Sequence, residues 1–417
     1  MLFNRSRAID YMTRFGLDAL IATSPVNITY FTDYYCWLDP LFKEYMTKPG
    51  GSSSIAEMYA VFPREGEPAF VVSPTFAVNA AELWVRDLHL FGHPGLEGPL
   101  PSQTLSAFGH RLHELFHRPR QSARPRDALL SILRDRGLTK AVIGVEIEGM
   151  TAAARDALVT GLPQAQIKDC TNLIRLVRMV KSGEEIERLR RAAEISENAA
   201  MESLALARAG HPIADVVARY RLHVAEQGAD FDHFAFGVNG LGIATEPSYI
   251  LSSDDVLYVD FGCIYRHYFS DSGTTLAMVP LSGALQDRHS ALDACFAAGT
   301  EAIRPGVLAS SVQAAMREAL STRGVHASSP HGHGFGLEVR DYPILVADTG
   351  LRIRDDCVDV PSDLPLEANM VINLEAAVFL PGIGSVHREQ TFVVTDNSSR
   401  SLIAQERARP VHPLAMN

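Results

Sequence analysis

Two apolar, strand-like runs each carry one acid near the middle: VLYVDFGCIY holds Asp260 and VINLEAAVFL holds Glu375. A carboxylate on such a strand is costly to bury unless its charge is compensated. Each run leads into a returning strand with a second acid. In VLYVDFGCIYRHYFSDSGTT, a hairpin tip between Tyr265 and Arg266 sets Asp260 opposite Asp271. In NLEAAVFLPGIGSVHREQTF, the Pro-Gly-Ile-Gly run is a strong turn signal, and folding about Gly382 sets Glu375 opposite Glu389. Directly opposed residues have Cβ atoms roughly 4.5–5.5 Å apart, so each like-charged pair destabilises its hairpin unless a cation sits between the carboxylates.

Between the two hairpins lies SPHGHGFGLEVRDYP, in which His331 and His333 flank a glycine. Four carboxylates and one imidazole make a hard, oxygen-rich site suited to two divalent ions of octahedral leaning, such as Mn²⁺, Fe²⁺ or Co²⁺.

A chain of 417 residues exceeds one ordinary hydrophobic core, so two domains are expected. The first half alternates helical and strand patterns: a helix over about residues 5–15, then strands at LDALIAT, MYAVF, PAFVVS, KAVIGVEI and QIKDC. That alternation predicts an α/β domain over residues 1–168. The runs TKPGGSSS and HRPRQSARPR read as loops. A long helix capped by Ser182 then opens a second domain over residues 169–417, in which strand-like runs dominate around helices near 290–302 and 312–323. Its class is α+β.

The formal net charge of -11 leaves no basic surplus for a phosphate backbone, which argues against nucleic acid as a partner. The five cysteines are scattered and lack CxxC spacing, as expected of buried, reduced thiols. The N-terminus lacks the pattern of a signal peptide, and no window approaches 18 uncharged apolar residues. A cytoplasmic protein without a membrane span is the expectation.

The motifs VDFG, SDSGTT, GHGFG, NLEAAVF and HREQTFVV, in this order, resemble the pita-bread family of methionine aminopeptidase, aminopeptidase P, prolidase and creatinase. The stretches GLDALIATSPVNITYFTDY and MVKSGEEIERLRRAAEI resemble the N-terminal domain and the first catalytic-domain helix of the creatinase and prolidase branch. The resemblance implies a creatinase/prolidase-like α/β domain followed by an α+β pita-bread catalytic domain. It also implies that Asp260, Asp271, His333, Glu375 and Glu389 bind two divalent ions, with Mn the first expectation and Fe, Co or Zn alternatives. By this match His333 is the ligand, and His331 is a supporting or structural group. Glycines 332, 334 and 336 would let backbone pass close to the ions. A hydroxide bridging the ions would be the nucleophile, with Glu375 taking its proton.

The chain also departs from the family pattern. Where peptidases of this family carry a histidine in a loop before the first aspartate, this chain has Ile243 or Ala244; where they carry another after GHGxG, it has Arg340. Arginine does not shuttle protons near neutral pH but holds anions bidentately, so Arg340 implies either a carboxylate-bearing substrate or an ion pair with Asp341 or another local acid. His387 stands where prolidases usually carry arginine, and Gln390 where they carry aspartate. His233 and Glu246 are candidate substitutes for the missing histidine, with solvated or capping roles as their alternative. The expected activity is hydrolysis of a small amide or dipeptide-like substrate, Xaa-Pro by default, with Glu375, Arg340 and His331 as the catalytic candidates. A non-peptidase reaction on a small carboxylated metabolite, as in ectoine hydrolase, creatinase or dimethylsulfoniopropionate lyase, is the second expectation. A non-catalytic binding protein is a third, opposed by retention of all five ligands. The resemblance further implies a homodimer in which the aromatic loop from Tyr34 to Met46 covers the partner's pocket, unless that loop is an ordinary buried patch.

Overall fold

The computed structural model describes residues 1–36, 46, 49–50, 57–92, 105–117, 122–245, 248–281, 283–403 and 410–413. Residues 37–45 of the aromatic loop, most of TKPGGSSS, and Glu246 lie outside the described residues. The chain divides into two compact units. One comprises Met1–Arg178 with Ile353–Val360, and the other comprises Met179–Arg352 with Pro361–Asn417.

The first unit is built on a six-stranded mixed sheet. Its strands are β1 (Ala19–Ala22), β2 (Tyr59–Pro63), β3 (Ala69–Val72), β4 (Asp87–Leu90), β5 (Val142–Val145) and β6 (Gln166–Asp169), in the spatial order β4-β3-β2-β1-β5-β6. Strand residues alternate between two faces. Ala19, Ile21, Val61, Val71, Ile143 and Val145 pack against the helices Pro125–Asp135 and Ala152–Gly161, which contribute Leu129, Ile132, Leu133 and Leu158. On the opposite face Phe62 meets Phe3 and Phe31, and Phe70 meets Tyr34. Both faces are therefore covered, which is why β1, β2, β3 and β5 read as continuous apolar runs.

The second unit opens with the helix Gly183–Leu204. The Ser182 side chain accepts from the Glu185 amide and the Glu185 side chain accepts from the Ser182 amide, a reciprocal cap that fixes where the helix starts. The helix Ile213–Glu226, β7 (Asp230–Val238) and β8 (Gly242–Ala244) lead to the first acidic strand, β9 (Val256–Tyr265). Next come β10 (Tyr268–Phe269), β11 (Ser272–Ala277), the helices Gly283–Ala302 and Ala309–Ser321, β12 (His331–Gly334) and β13 (Asp341–Leu345). A small hairpin of β14 (Arg352–Arg354) and β15 (Asp359–Pro361) interrupts the unit; its residues 353–360 group with the first unit, where Asp355 accepts from the Leu173 amide and Asp356 from the Asp169 amide. The chain returns as β16 (Val371–Leu380), β17 (Gly384–Val394) and β18 (Ser399–Ser401).

These strands form one ten-stranded sheet, ordered β13-β12-β16-β17-β11-β9-β7-β8, with β10 on β9 and β18 on β17. One face is apolar. Leu257, Val259, Phe261 and Cys263 of β9 join Ile195 and Ala199 of the helix Gly183–Leu204 and Val216 and Tyr220 of the helix Ile213–Glu226 in a buried core. The alternate residues of β9, Tyr258 and Asp260, point the other way. The same alternation in β16 and β17 sets Leu374 and Arg388 toward the helix Gly283–Ala302, and Asn373, Glu375, His387 and Glu389 toward the opposite face. The polar face of this sheet is where the acids meet.

The second hairpin has the expected register, with Glu375 directly opposite Glu389. The first does not: Asp260 lies opposite Gly273, not Asp271. Arg266 and His267 both take positive φ and form the two-residue tip, which moves the register by two residues. A shift of two preserves the face, so Asp271 stays on the side of Asp260 as its diagonal neighbour.

The glycines of GHGFG serve strand packing. A Cβ at Gly332 would overlap the Asn373 carbonyl, and one at Gly334 would overlap the Tyr342 carbonyl. They let β12 pass closely between β13 and β16. At Gly336 the near neighbour is the Lys181 ammonium.

Candidate metal centre

All five sequence-predicted ligands converge on the polar face of the sheet. Among the described residues three overlapping groups of donor atoms form there: His233 with Asp260 and Asp271, Asp271 with His333 and Glu389, and Glu375 with His387 and Glu389. Asp271 joins the first two. Its Oδ1 lies 3.6 Å from His233 Nε2 and its Oδ2 lies 3.4 Å from His333 Nε2. Glu389 joins the second and third.

Four imidazoles surround these carboxylates, and each is oriented in the same way. Nδ1 of His233 is held by Asp232 at 2.7 Å, that of His331 by the Ser329 carbonyl at 3.2 Å, that of His333 by the Gly334 carbonyl at 3.0 Å, and that of His387 by the Val259 carbonyl at 3.0 Å. An acceptor at Nδ1 fixes the proton there and turns Nε2 toward the acids. His331 Nε2 reaches Glu375 Oε2 at 2.8 Å, and His233 Nε2 reaches Asp260 Oδ1 at 2.9 Å. His387 Nε2 stands 3.5 Å from Glu375 Oε1.

The remaining atoms test whether this set suits a cation. His333 Nε2, His387 Nε2 and Glu389 Oε2 are buried and have no hydrogen-bond partner among the described residues. Such orphans are costly in a low-dielectric site, and an ion shared among them removes the cost. Carboxylate oxygens with imidazole nitrogens are the donors that divalent ions such as Mn²⁺, Fe²⁺, Co²⁺ and Zn²⁺ accept. The residues present fit a metal.

The protonation preferences of the acids diverge. Burial, reinforced by the carboxylates of Asp271, Glu375 and Asp260, pushes the Glu389 carboxyl well above its ordinary range. Burial acts to raise Glu375 too, but the imidazoles of His331 and His387 outweigh it and hold that carboxyl well below its ordinary range. For His233, burial opposes the charged form, yet Asp232, Asp260 and Asp271 together bring its pKa up to about 10. The hydrogen bond to Glu375 raises His331 against burial and the nearby positive charge of Arg340.

Of the other candidates, Arg340 is exposed, and Asp341 faces the buried Lys181 at 3.6 Å. Ile243 is 55% exposed on β8. His387, noted in the sequence only as a departure, is fully buried and stacks on Tyr258 with ring centroids 3.8 Å apart.

Three contributors escaped sequence reasoning. The Tyr258 hydroxyl donates to Asp260 Oδ2 at 3.0 Å and lies 3.4 Å from Glu375 Oε1. Asn373 donates its amide to Glu389 Oε1, and Asp232 orients His233. A signal for the first two exists in the sequence. Tyr258, His331, Asn373 and His387 stand two residues before Asp260, His333, Glu375 and Glu389, which is the same-face spacing of a strand.

Comparison with known proteins agrees with this architecture. Residues 187–396 match the model of metallopeptidase family M24, and residues 5–180 match the creatinase/prolidase N-terminal domain. The uncharacterized peptidase YqhT of Bacillus subtilis is 24% identical over 396 residues, covering 93% of this chain and 94% of that protein. An uncharacterized peptidase of Staphylococcus aureus is 27% identical over 409 residues, covering 96% and 99%. Among solved structures, a dipeptidase from Pyrococcus horikoshii superposes with a TM-score of 0.72 at 20% identity, covering 97% and 98% of the two chains. An X-Pro aminopeptidase from Thermotoga maritima superposes with a TM-score of 0.70 at 19% identity, covering 99% of each. A Xaa-Pro dipeptidase from Bacillus anthracis gives 0.71 at 19%, covering 99% and 100%. These likenesses establish the fold, a creatinase/prolidase-type domain followed by a pita-bread domain, and among the described residues no helix is long and apolar enough to cross a membrane. With its acids and imidazoles gathered on one sheet face and the family model spanning half of its length, the chain belongs to metallopeptidase family M24.

Proposed function

We propose that this protein is a metal-dependent hydrolase of a small amide or peptide bond, with two divalent ions held by Asp260, Asp271, His333, Glu375 and Glu389, and with Xaa-Pro substrates as the first choice. The observation that carries this reading is the convergence of these five side chains with buried, unpartnered donor atoms on His333 and Glu389. The Xaa-Pro preference leans on structural neighbours described as an X-Pro aminopeptidase and a Xaa-Pro dipeptidase.

When bound, the ions supply Lewis-acid activation of a water and of the scissile carbonyl. The chain's own residues supply the rest. Glu375 is held ionised by His331 and His387, so its carboxylate is ready to accept the proton of the attacking water. His331 fixes that carboxylate through the contact at 2.8 Å. Tyr258 holds Asp260 through its hydroxyl, which donates to Oδ2 at 3.0 Å on the same face of the sheet. Arg340 offers an exposed, permanent cation beside His331, suited to the carboxylate end of a short substrate.

A second reading, hydrolysis or lysis of a small non-peptide metabolite, is favoured by Ile243, an exposed apolar residue where peptidases of this resemblance carry histidine. Mass-spectrometric turnover on a panel of Xaa-Pro peptides, other dipeptides and small carboxylated amides, with Asp271→Asn as control, decides between them. Cleavage of Xaa-Pro peptides by the wild type alone supports the first reading. Turnover confined to non-peptides supports the second, and equal turnover by Asp271→Asn refutes both.

A further inference from the structure

We propose that His233 is an additional metal ligand, which gives the ion on the Asp260–Asp271 side an imidazole of its own. This rests on the metal-centre reading above and extends it, because the five-residue set supplies a single imidazole in total.

The argument begins with the backbone. In a regular strand, consecutive residues point to opposite faces. Between Phe231 and His233 the register of β7 on β9 shifts, with Phe231 opposite Cys263 and His233 opposite Gly262. This bulge accommodates Asp232 as an extra residue and lets the neighbouring Asp232 and His233 side chains meet, at 2.7 Å from Oδ2 to Nδ1. Opposite the bulge, a Cβ at Gly262 would overlap the His233 ring. A residue that clears the space and a residue that fixes the tautomer thus both serve the orientation of one imidazole.

The direction in which the ring points completes the case. Carboxylate to Nδ1, with Nε2 toward the ion, is the arrangement that orients ligating histidines. Two donors each about 2.1 Å from one ion and 90–110° apart are separated by roughly 3.0–3.4 Å. His233 Nε2 lies 2.9 Å from Asp260 Oδ1 and 3.6 Å from Asp271 Oδ1, close to those spacings. The second oxygen of Asp271 faces His333 at 3.4 Å. Asp271 therefore stands between two imidazoles, one oxygen toward each, and each side of the centre has one nitrogen donor. Added nitrogen shifts preference from Mn²⁺ toward Zn²⁺ and Co²⁺.

The test is metal binding by the full-length protein, read by metal-to-protein ratio after dialysis, by chelator competition, and by X-ray absorption of the Zn²⁺-loaded form for imidazole content. The wild type should bind two ions and show one imidazole per ion on average. His233→Ala should hold one ion tightly, lose the other, and show a lower imidazole content. Asp232→Asn, which keeps the ring, should retain both ions but weaken one site by about 10–100-fold. Two ions bound with wild-type affinity and unchanged imidazole content in His233→Ala would overturn this inference alone. Failure of the wild type to take up any ion would overturn the metal-centre reading beneath it.

Discussion

Glu375 and Glu389 face each other across β16 and β17, yet they have opposite protonation preferences: His331 and His387 outweigh burial and hold the first well below its ordinary range, while burial among three other carboxylates pushes the second well above it. This asymmetry gives the two residues different consequences when each is replaced. Glu389→Gln mimics the protonated acid, so the metal-free protein should melt within about 1 °C of wild type, whereas metal should no longer stabilise it. Glu375→Gln removes the partner of His331 and should destabilise the metal-free protein by roughly 1–3 kcal/mol. Thermal melts of both variants in chelator and in metal check this pair of outcomes.

Metal itself should stabilise the wild type. A ligand that binds only the folded state at about 100 times its Kd adds roughly 2.7 kcal/mol, which raises Tm by about 5–10 °C for a unit of this size. Chelation should reverse the shift. Identical melts with and without metal would mean that the orphaned donors of His333 and Glu389 do not bind it.

The pH dependence should carry the mark of Glu185, which lies at the start of the long helix and accepts from the Tyr268 hydroxyl at 3.1 Å. Burial raises its pKa from 4.5 to about 7, against the opposing influence of Lys181 and the Ser182 amide. Below pH 4.5 the group is protonated in both folded and unfolded chains and costs nothing. Between there and about 7 the unfolded chain loses its proton first, so stability falls as pH rises, by roughly 3 kcal/mol in all, and is level above. Glu185→Gln keeps the acceptor oxygen and should remove that slope. Denaturant unfolding of both proteins at pH 5 and pH 8 reads the difference, and parallel slopes would show that Glu185 ionises freely in the fold.

Gly273 predicts a purely steric effect. It lies opposite Asp260, and a Cβ there would overlap the His387 ring. Gly273→Ala should therefore displace His387 from Glu375, cost about 1–3 kcal/mol and lower metal affinity, as calorimetry and chelator competition would show.

Much of this site was legible because its acids interrupt apolar strands. Asp260, Glu375 and Glu389 stand out in VDFG, NLEAAV and HREQTF, and the Pro-Gly-Ile-Gly tip gave the second hairpin its true register. The first hairpin was misjudged because Arg266 and His267 adopt left-handed conformations without the glycine or asparagine that signals such a turn. From the sequence His233 is only one of two candidate substitutes, since a bulge leaves no mark in a single sequence and its partner Gly262 is distant along the chain. The strand Asp87–Leu90 was missed because DLHL carries no β-branched or aromatic residue and owes its conformation to pairing with β3.

Whether these side chains form a two-ion centre is read from the metal-to-protein ratio of the purified, Mn²⁺-loaded chain. Two ions per wild-type chain are expected, and at most one, weakly held, in Asp271→Asn. A wild-type chain that retains none, or an Asp271→Asn chain that retains two with unchanged affinity, would contradict it.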